Sequence, residues 1–327
     1  MTNLHPLATC LLFLTMAATF SGVPAKDLEN AIGFVHDPCI IQEGDYFYVF
    51  STGDGIPIRR SKDLKQWVFL GQVFKEKIPA WAKQELPKAT NLWAPDISFY
   101  HGRFHLLYSI SSFGSNRSIV AAASNKTLNP SSPDYNWVDE GRVIESHKTD
   151  NYNAIDPNLL VIGKERAALT FGSFWGGIQL TTLDLKTGKP LKETPIIQIA
   201  RRPSPDAIEA PFLIKRKGWF YLFASYDLCC RGIRSTYNIR YGRSKKVEGP
   251  YLDQAGMPLL EDGGTQLLKT EGSVIGPGHC AVLQTKKGDF LIHHFYDGEK
   301  NGLPTLQVRP LAWSKEGWGV AGAPLLP

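Results

Sequence analysis

Aromatic-rich apolar runs alternate with short polar turns along nearly the whole chain. Five segments open with a polar or acidic residue at the start of an apolar run, pass a glycine-containing turn and reach an aromatic-rich stretch. The openings are His36-Asp37-Pro38, Trp93-Ala94-Pro95, Ile155-Asp156-Pro157, Ile208-Glu209-Ala210-Pro211 and Gly278-His279-Cys280. The aromatic stretches that follow occupy 46–51, 104–109, 219–225 and 289–294, with a weaker copy in phase at 167–173. Side chains alternating between apolar and polar or small predict strands, and Glu43-Gly44-Asp45, His101-Gly102-Arg103 and Lys287-Gly288-Asp289 read as the hairpin turns joining them. Long amphipathic helical patterns are missing.

Pro38, Pro95, Pro157 and Pro211 are spaced by 57, 62 and 54 residues, from the differences 95 − 38, 157 − 95 and 211 − 157. A repeat of that length made of short strands predicts one four-stranded blade, so the chain is expected to be all-β, a five-bladed β-propeller. A second shared element after the central hairpin, at 58–64, 119–128 and 239–246, is expected to be the third strand of a blade. The repeat has a chemical consequence. Innermost strands of successive blades line one axis, and three openings carry carboxylates: Asp37, Asp156 and Glu209. Ring symmetry would bring residues more than a hundred apart into one funnel.

Composition narrows the setting. The 327 residues are 43% hydrophobic and 20% charged, which fits a globular domain, and five blades use almost all of the length. The formal charge of +5 is scattered over 36 basic residues without a dense run, so no nucleic-acid partner is expected. Residues 7–20 form a short apolar core followed by small residues, read as a signal peptide over 1–25 despite the lack of a positive n-region. The mature domain is then 26–327, secreted or periplasmic, monomeric, with no membrane association after cleavage. Cys10 would leave with the signal. Cys39, Cys229, Cys230 and Cys280 remain. Cys39 and Cys280 either bridge the first and last blades or stay as buried thiols, while Cys229-Cys230 is either a vicinal disulfide or part of a rim wall. None of the spacings is that of a zinc site. Asn116 and Asn125 match the glycosylation acceptor pattern, which is frequent by chance.

Convergent carboxylates suit glycoside hydrolysis, in which one acid protonates the leaving oxygen and a second carboxylate activates water or attacks the sugar. A third acid nearby raises the proton donor's pKa by like-charge repulsion. A three-carboxylate calcium cage is the competing chemistry. Trp93, Phe113, Phe174 and Trp175 tip the choice toward sugar, because flat rings beside Gly and Ser stack on a sugar's apolar face while hydroxyls meet its polar edge.

The runs Val-His-Asp-Pro at 35–38, Leu-Trp-Ala-Pro-Asp-Ile at 92–97, Asn-Ala-Ile-Asp-Pro at 153–157, Phe-Gly-Ser-Phe-Trp-Gly-Gly at 171–177, Ile-Glu-Ala-Pro-Phe at 208–212, Leu-Cys-Cys-Arg-Gly at 228–232 and Gly-Pro-Gly-His at 276–279 stand in an order and spacing that closely resemble the arabinanases of glycoside hydrolase family 43. The resemblance implies inverting hydrolysis of α-1,5-linked L-arabinofuranose chains (arabinan). It makes Asp37 the general base, Glu209 the general acid, and Asp156 the residue that tunes and orients the acid. It places substrate contacts at Asp37, Gly114, Asn153, Ala154, Ile155, Asp156, Ser173, Phe174 and Trp175, with Trp93 and Phe113 shaping the cleft. It also implies a hydrated calcium ion (Ca2+) on the axis at His279. Endo action is expected from the Ser-Phe-Trp-Gly-Gly run; the alternatives are exo action, an α-L-arabinofuranosidase or β-xylosidase on the same fold, or a non-catalytic carbohydrate-binding propeller.

Overall fold

The computed structural model describes residues 33–325, and strands dominate it. The predicted signal peptide lies outside the described residues. Five antiparallel sheets follow in chain order. The first contains β1 (Cys39–Glu43), β2 (Tyr46–Phe50), β3 (Pro57–Ser61) and β4 (Val68–Gln72), and is followed by a short helix α1 (Ala80–Glu85). The second contains β5 (Trp93–Tyr100), β6 (Arg103–Ile110), β7 (Ser118–Asn125) and β8 (Val138–Ser146). The third contains β9 (Asn158–Val161), β10 (Arg166–Phe171) and β11 (Ile178–Asp184), and its outer edge is split between β12 (Lys189–Pro190) and β13 (Ile197–Ala200), both paired to β11. The fourth contains β14 (Ile208–Arg216), β15 (Trp219–Tyr226), β16 (Asn238–Ser244) and β17 (Thr265–Leu268); the fifth contains β18 (Val274–Thr285), β19 (Gly288–Asp297), β20 (Leu303–Trp313) and β21 (Gly319–Ala321). The all-β, five-bladed propeller is as the repeat predicts, and the shared third element is β3, β7 and β16.

First strands meet around the axis, β1 against β5, β5 against β9, β9 against β14, β14 against β18, and β18 against β1. Side chains that leave both faces of each sheet build five separate apolar clusters, one in every gap between neighbouring blades. The gap that closes the ring holds Val35, Val49 and Trp67 from the first blade against Ile292, Leu306 and Val308 from the fifth. Burying a large apolar side chain stabilises by roughly 1.5–3 kcal/mol, so each gap is a substantial adhesive surface. The segment leading into β1 reinforces it, for Gly33 bridges Thr305 and the Val35 N–H donates to Pro304 O at 3.2 Å. Cys39 and Cys280 stay as buried free thiols, and Cys229 and Cys230 form a vicinal disulfide. Both glycosylation-pattern asparagines are buried, with Asn116 Nδ2 donating to three carbonyls, so each serves the fold.

Candidate active site

One backbone feature recurs at all five openings. Asp37, Ala94, Asp156, Ala210 and His279 each take a left-handed conformation, with φ of 50°, 44°, 55°, 55° and 47°. For residues other than glycine this costs on the order of 1–3 kcal/mol and persists only where neighbours over-determine it. The preceding blade supplies that constraint. Thr52 Oγ1 accepts the Ala94 N–H, Ser109 Oγ that of Asp156, Ser225 Oγ that of His279, and His294 Nδ1 that of Asp37. The capping residues occupy one equivalent place, opposite the residue before each left-handed turn: Thr52 N–H meets His36 O, while Ser109, Ser225 and His294 pair with Trp93, Glu209 and Gly278.

In the third blade that place is Gly172, whose N–H meets Ile155 O. A Cβ there would stand 2.2 Å from Gly177 O, and its φ is +132°, so glycine is required and no capping side chain exists. The orphaned Ala210 N–H is taken instead by Asp156 Oδ2 at 3.1 Å. This same register corrects the sequence-based equivalence. Ala210, not Glu209, is the counterpart of Asp37 and Asp156; Glu209 stands one residue earlier, at the place of His36 and Ile155, because the fourth opening has an extra residue between its acid and its proline.

The three carboxylates are all buried, and each meets a different set of partners. Asp37 Oδ2 accepts from Thr52 Oγ1 at 2.6 Å; its Oδ1 lies 2.8 Å from His36 Nδ1 and 3.1 Å from His279 Nδ1. Burial opposes ionisation of Asp37, but the His36 and His279 rings outweigh it and hold the carboxyl well below the usual range. His279 answers in kind: burial works against its charge, Asp37 overrides that, and the imidazole is pushed up to about 9. Asp156 goes the other way, raised well above the usual range by burial and then, against the pull of His279, by the neighbouring Glu209 and Asp37. Glu209 is raised by burial and by Asp37, although hydrogen bonds from Ser173 and Tyr237 pull it down. One ionised carboxylate therefore faces two that favour their protons, which is how a single site separates a base from an acid.

Ser173 Oγ–H donates to Glu209 Oε2 at 2.5 Å, and Tyr237 donates to Oε1. Phe174 and Trp175 follow with successive left-handed φ of 52° and 44°, held by Phe174 N–H to Ile208 O at 3.0 Å and Gly177 N–H to Phe174 O at 2.7 Å. The turn lifts Trp175 into solvent at 39% exposure. Phe113 is 80% exposed, tilted 5.2 Å from the Trp93 ring, and Trp93 is fixed by its Nε1–H on Asn91 Oδ1 at 2.8 Å. Gly114 has φ +73° and open space where a Cβ would point. Asn153 is buried, with Oδ1 accepting from Ser118 Oγ at 2.7 Å, and Ile155 is buried beside it. Ala154 does not meet the expectation of a substrate contact. It is fully buried in the cluster between the second and third blades, its N–H on Ser146 Oγ at 2.9 Å, and it offers a ligand no surface.

Sequence reasoning did not single out Thr52, His36, His294, Tyr296 or Tyr237. The first had a signal, a hydroxyl at or just past the end of the second strand in several repeats, as in Thr52, Ser109 and Ser225. His36 Nε2 pairs with Tyr296 OH at 2.8 Å, and that hydroxyl accepts the Cys230 N–H at 2.7 Å, so the vicinal disulfide braces the ring beside Asp37. His294 is held neutral, its pKa pushed well down by burial and then by the His36 ring; with Nδ1 accepting, its proton is on Nε2.

The carboxylates do not form a calcium cage. Asp37 and Glu209 have both oxygens engaged by protein groups, and the one set of three that could gather on an ion among the described residues is His36, Asp37 and His294. His279 is outside that set. Its Nδ1 faces Asp37, which leaves one nitrogen, able to meet an ion only when the ring is neutral and then suited to one that keeps its water shell, not one asking about six to eight protein oxygens.

Residues 29–319 match the family model described as glycosyl hydrolases family 43. The chain belongs to family 43. Within the family it is 42% identical over 289 residues to an extracellular endo-α-(1→5)-L-arabinanase of Bacillus subtilis, covering 87% of this chain and 86% of the relative. It is 41% identical over 296 residues to an extracellular exo-α-(1→5)-L-arabinofuranosidase of Cellvibrio japonicus, covering 87% and 85%. Among solved family 43 structures, the α-L-arabinanase of Cellvibrio cellulosa complexed with arabinohexaose superposes with a TM-score of 0.83 at 41% identity, over 88% of this chain and 95% of that one. The neighbours thus include both endo- and exo-acting family 43 enzymes.

Proposed function

We propose that this family 43 propeller is an exported, monomeric, inverting arabinan hydrolase that cleaves α-1,5-linked L-arabinofuranose chains internally. The observation that carries the reading is the division of charge: Asp37 held ionised by His36 and His279, Glu209 and Asp156 biased toward their protonated forms. In the reaction Asp37 takes a proton from a water as that water attacks the anomeric carbon. Glu209 gives its proton to the departing O5 of the next sugar. Asp156 fixes the backbone beside Glu209, while burial and the Asp37 charge keep the acid's pKa up. Substrate and linkage follow from two relatives at about two-fifths identity, one named an extracellular endo-α-(1→5)-L-arabinanase and one an extracellular exo-α-(1→5)-L-arabinofuranosidase. A hydrated cation such as calcium would be held at the second nitrogen of His279 only with that ring neutral, and the ion's charge would then replace the imidazolium's in steadying the ionised Asp37; no step is routed through it.

Endo action is the reading the rim favours, because Phe113 and Trp175 present open ring faces where a blocking wall would close an exo pocket. The exo-acting relative at 41% identity keeps the second mode in view. A time course on linear debranched arabinan, with wild type beside Glu209→Ala, tests both. Internal cleavage gives a ladder of intermediate oligosaccharides early in the digest, and the variant loses several orders of magnitude in turnover. A single short product from the outset would establish exo action, and an inactive wild type would remove the reading.

A further inference from the structure

When Glu209 gives up its proton, a full negative charge appears on a carboxylate that is only 7% exposed, and the fold must receive that charge without bulk water. Two hydroxyls reach it. Ser173, part of a motif evident in the sequence, covers Oε2. Tyr237 covers Oε1 from the segment just before β16, with no motif to announce it. Its ring is 2% exposed and lies against the backbone at Gly278, where a Cβ would stand 1.9 Å from Tyr237 Cδ2. Glycine one residue before His279 is therefore the gap through which this ring reaches the acid. Burial, with the Glu209, Asp156 and Asp37 carboxylates around it, pushes the Tyr237 hydroxyl well above its ordinary range, so it keeps its proton and remains a donor.

We propose that Tyr237 is a positioning residue for the general acid: its hydroxyl fixes Glu209 Oε1 and stabilises the carboxylate charge that develops as the acid's proton passes to the glycosidic oxygen. The inference rests on Glu209 being that acid. The proton leaves Glu209 for the oxygen of the breaking C–O bond, the bonding pair stays with that oxygen, and the attacking water's proton goes to Asp37. Tyr237 ends the step with its own proton.

A residue acting through the acid matters in proportion to how badly the leaving group needs a proton. The test compares wild type and Tyr237→Phe on a linear arabino-oligosaccharide and on the matching 2,4-dinitrophenyl arabino-oligoside, whose phenolate departs unaided. On the oligosaccharide, kcat/KM is expected to fall about 10- to 100-fold, the loss typical of a hydrogen bond to a charged group, with KM little changed. On the activated glycoside the fall is expected to stay below about threefold. Gly278→Ala, which pushes the ring away without touching the hydroxyl, should repeat the same selective loss. Because the comparison is a ratio between substrates, a partly misfolded preparation cancels out. Equal losses on both substrates, or none on the oligosaccharide, would overturn the proposal while leaving the hydrolase reading intact; a wild type inactive on both would remove the two together.

Discussion

Asp156 Oδ2 accepts the backbone N–H of Ala210, the residue directly after Glu209, at 3.1 Å. Elsewhere around the ring this cap comes from a serine, a threonine or a histidine of the preceding blade. Here Gly172 has no side chain to offer, and a carboxylate takes its place. The carboxylate next to Glu209 therefore holds the peptide from which Glu209 projects.

Removing that carboxylate is expected to damage two things at once. Asp156→Ala leaves a buried N–H unsatisfied, costing about 1–3 kcal/mol, and releases the acid, lowering kcat by roughly 100- to 10,000-fold. Asp156→Asn keeps an acceptor for Ala210 and should recover both the stability and most of the rate. Thermal melts beside steady-state kinetics separate the two effects, and an Asp156→Ala protein with near wild-type kcat would sink the assignment.

The pH profile follows from the direction of each shift. Hydrolysis needs Asp37 ionised and Glu209 protonated, so kcat/KM should fall at low pH only beneath the ordinary carboxylate range and at high pH only above it. A carboxyl whose folded pKa lies above its unfolded one contributes stability that is present at low pH and lost as pH rises through the folded value. Glu209→Gln, which cannot ionise, is therefore expected to melt progressively higher than wild type as pH rises, the two converging at acid pH. Parallel melting curves at all pH values would contradict the raised pKa of Glu209.

Phe113 is a surface ring to which the proposed cleft assigns a binding task. Since 80% of it is exposed, Phe113→Ala should leave the melting temperature unchanged. Loss of one stacking face from the cleft is expected to raise KM about tenfold, or ~1.4 kcal/mol, with kcat little altered. Initial rates on arabino-oligosaccharides of increasing length read this directly, and an unchanged KM at every length would exclude Phe113 from the cleft.

The repeat spacing, the five polar openings and their aromatic strands were sufficient for the five-bladed ring, because each blade is a local unit whose alternation and turns are set within about sixty residues of chain. The motifs likewise marked Asp37, Asp156, Glu209 and the Ser173 turn. What the tertiary structure decided lies between blades. That Glu209 is one register step away from Asp37 and Asp156, that Asp156 substitutes for the cap Gly172 lacks, that Ala154 is core, and that Tyr237 passes over Gly278 to the acid all depend on which side chain faces which neighbour after the ring closes. A sequence repeat specifies equivalent positions; hydrogen bonds across the axis join positions that are not equivalent, and only closure brings those within reach.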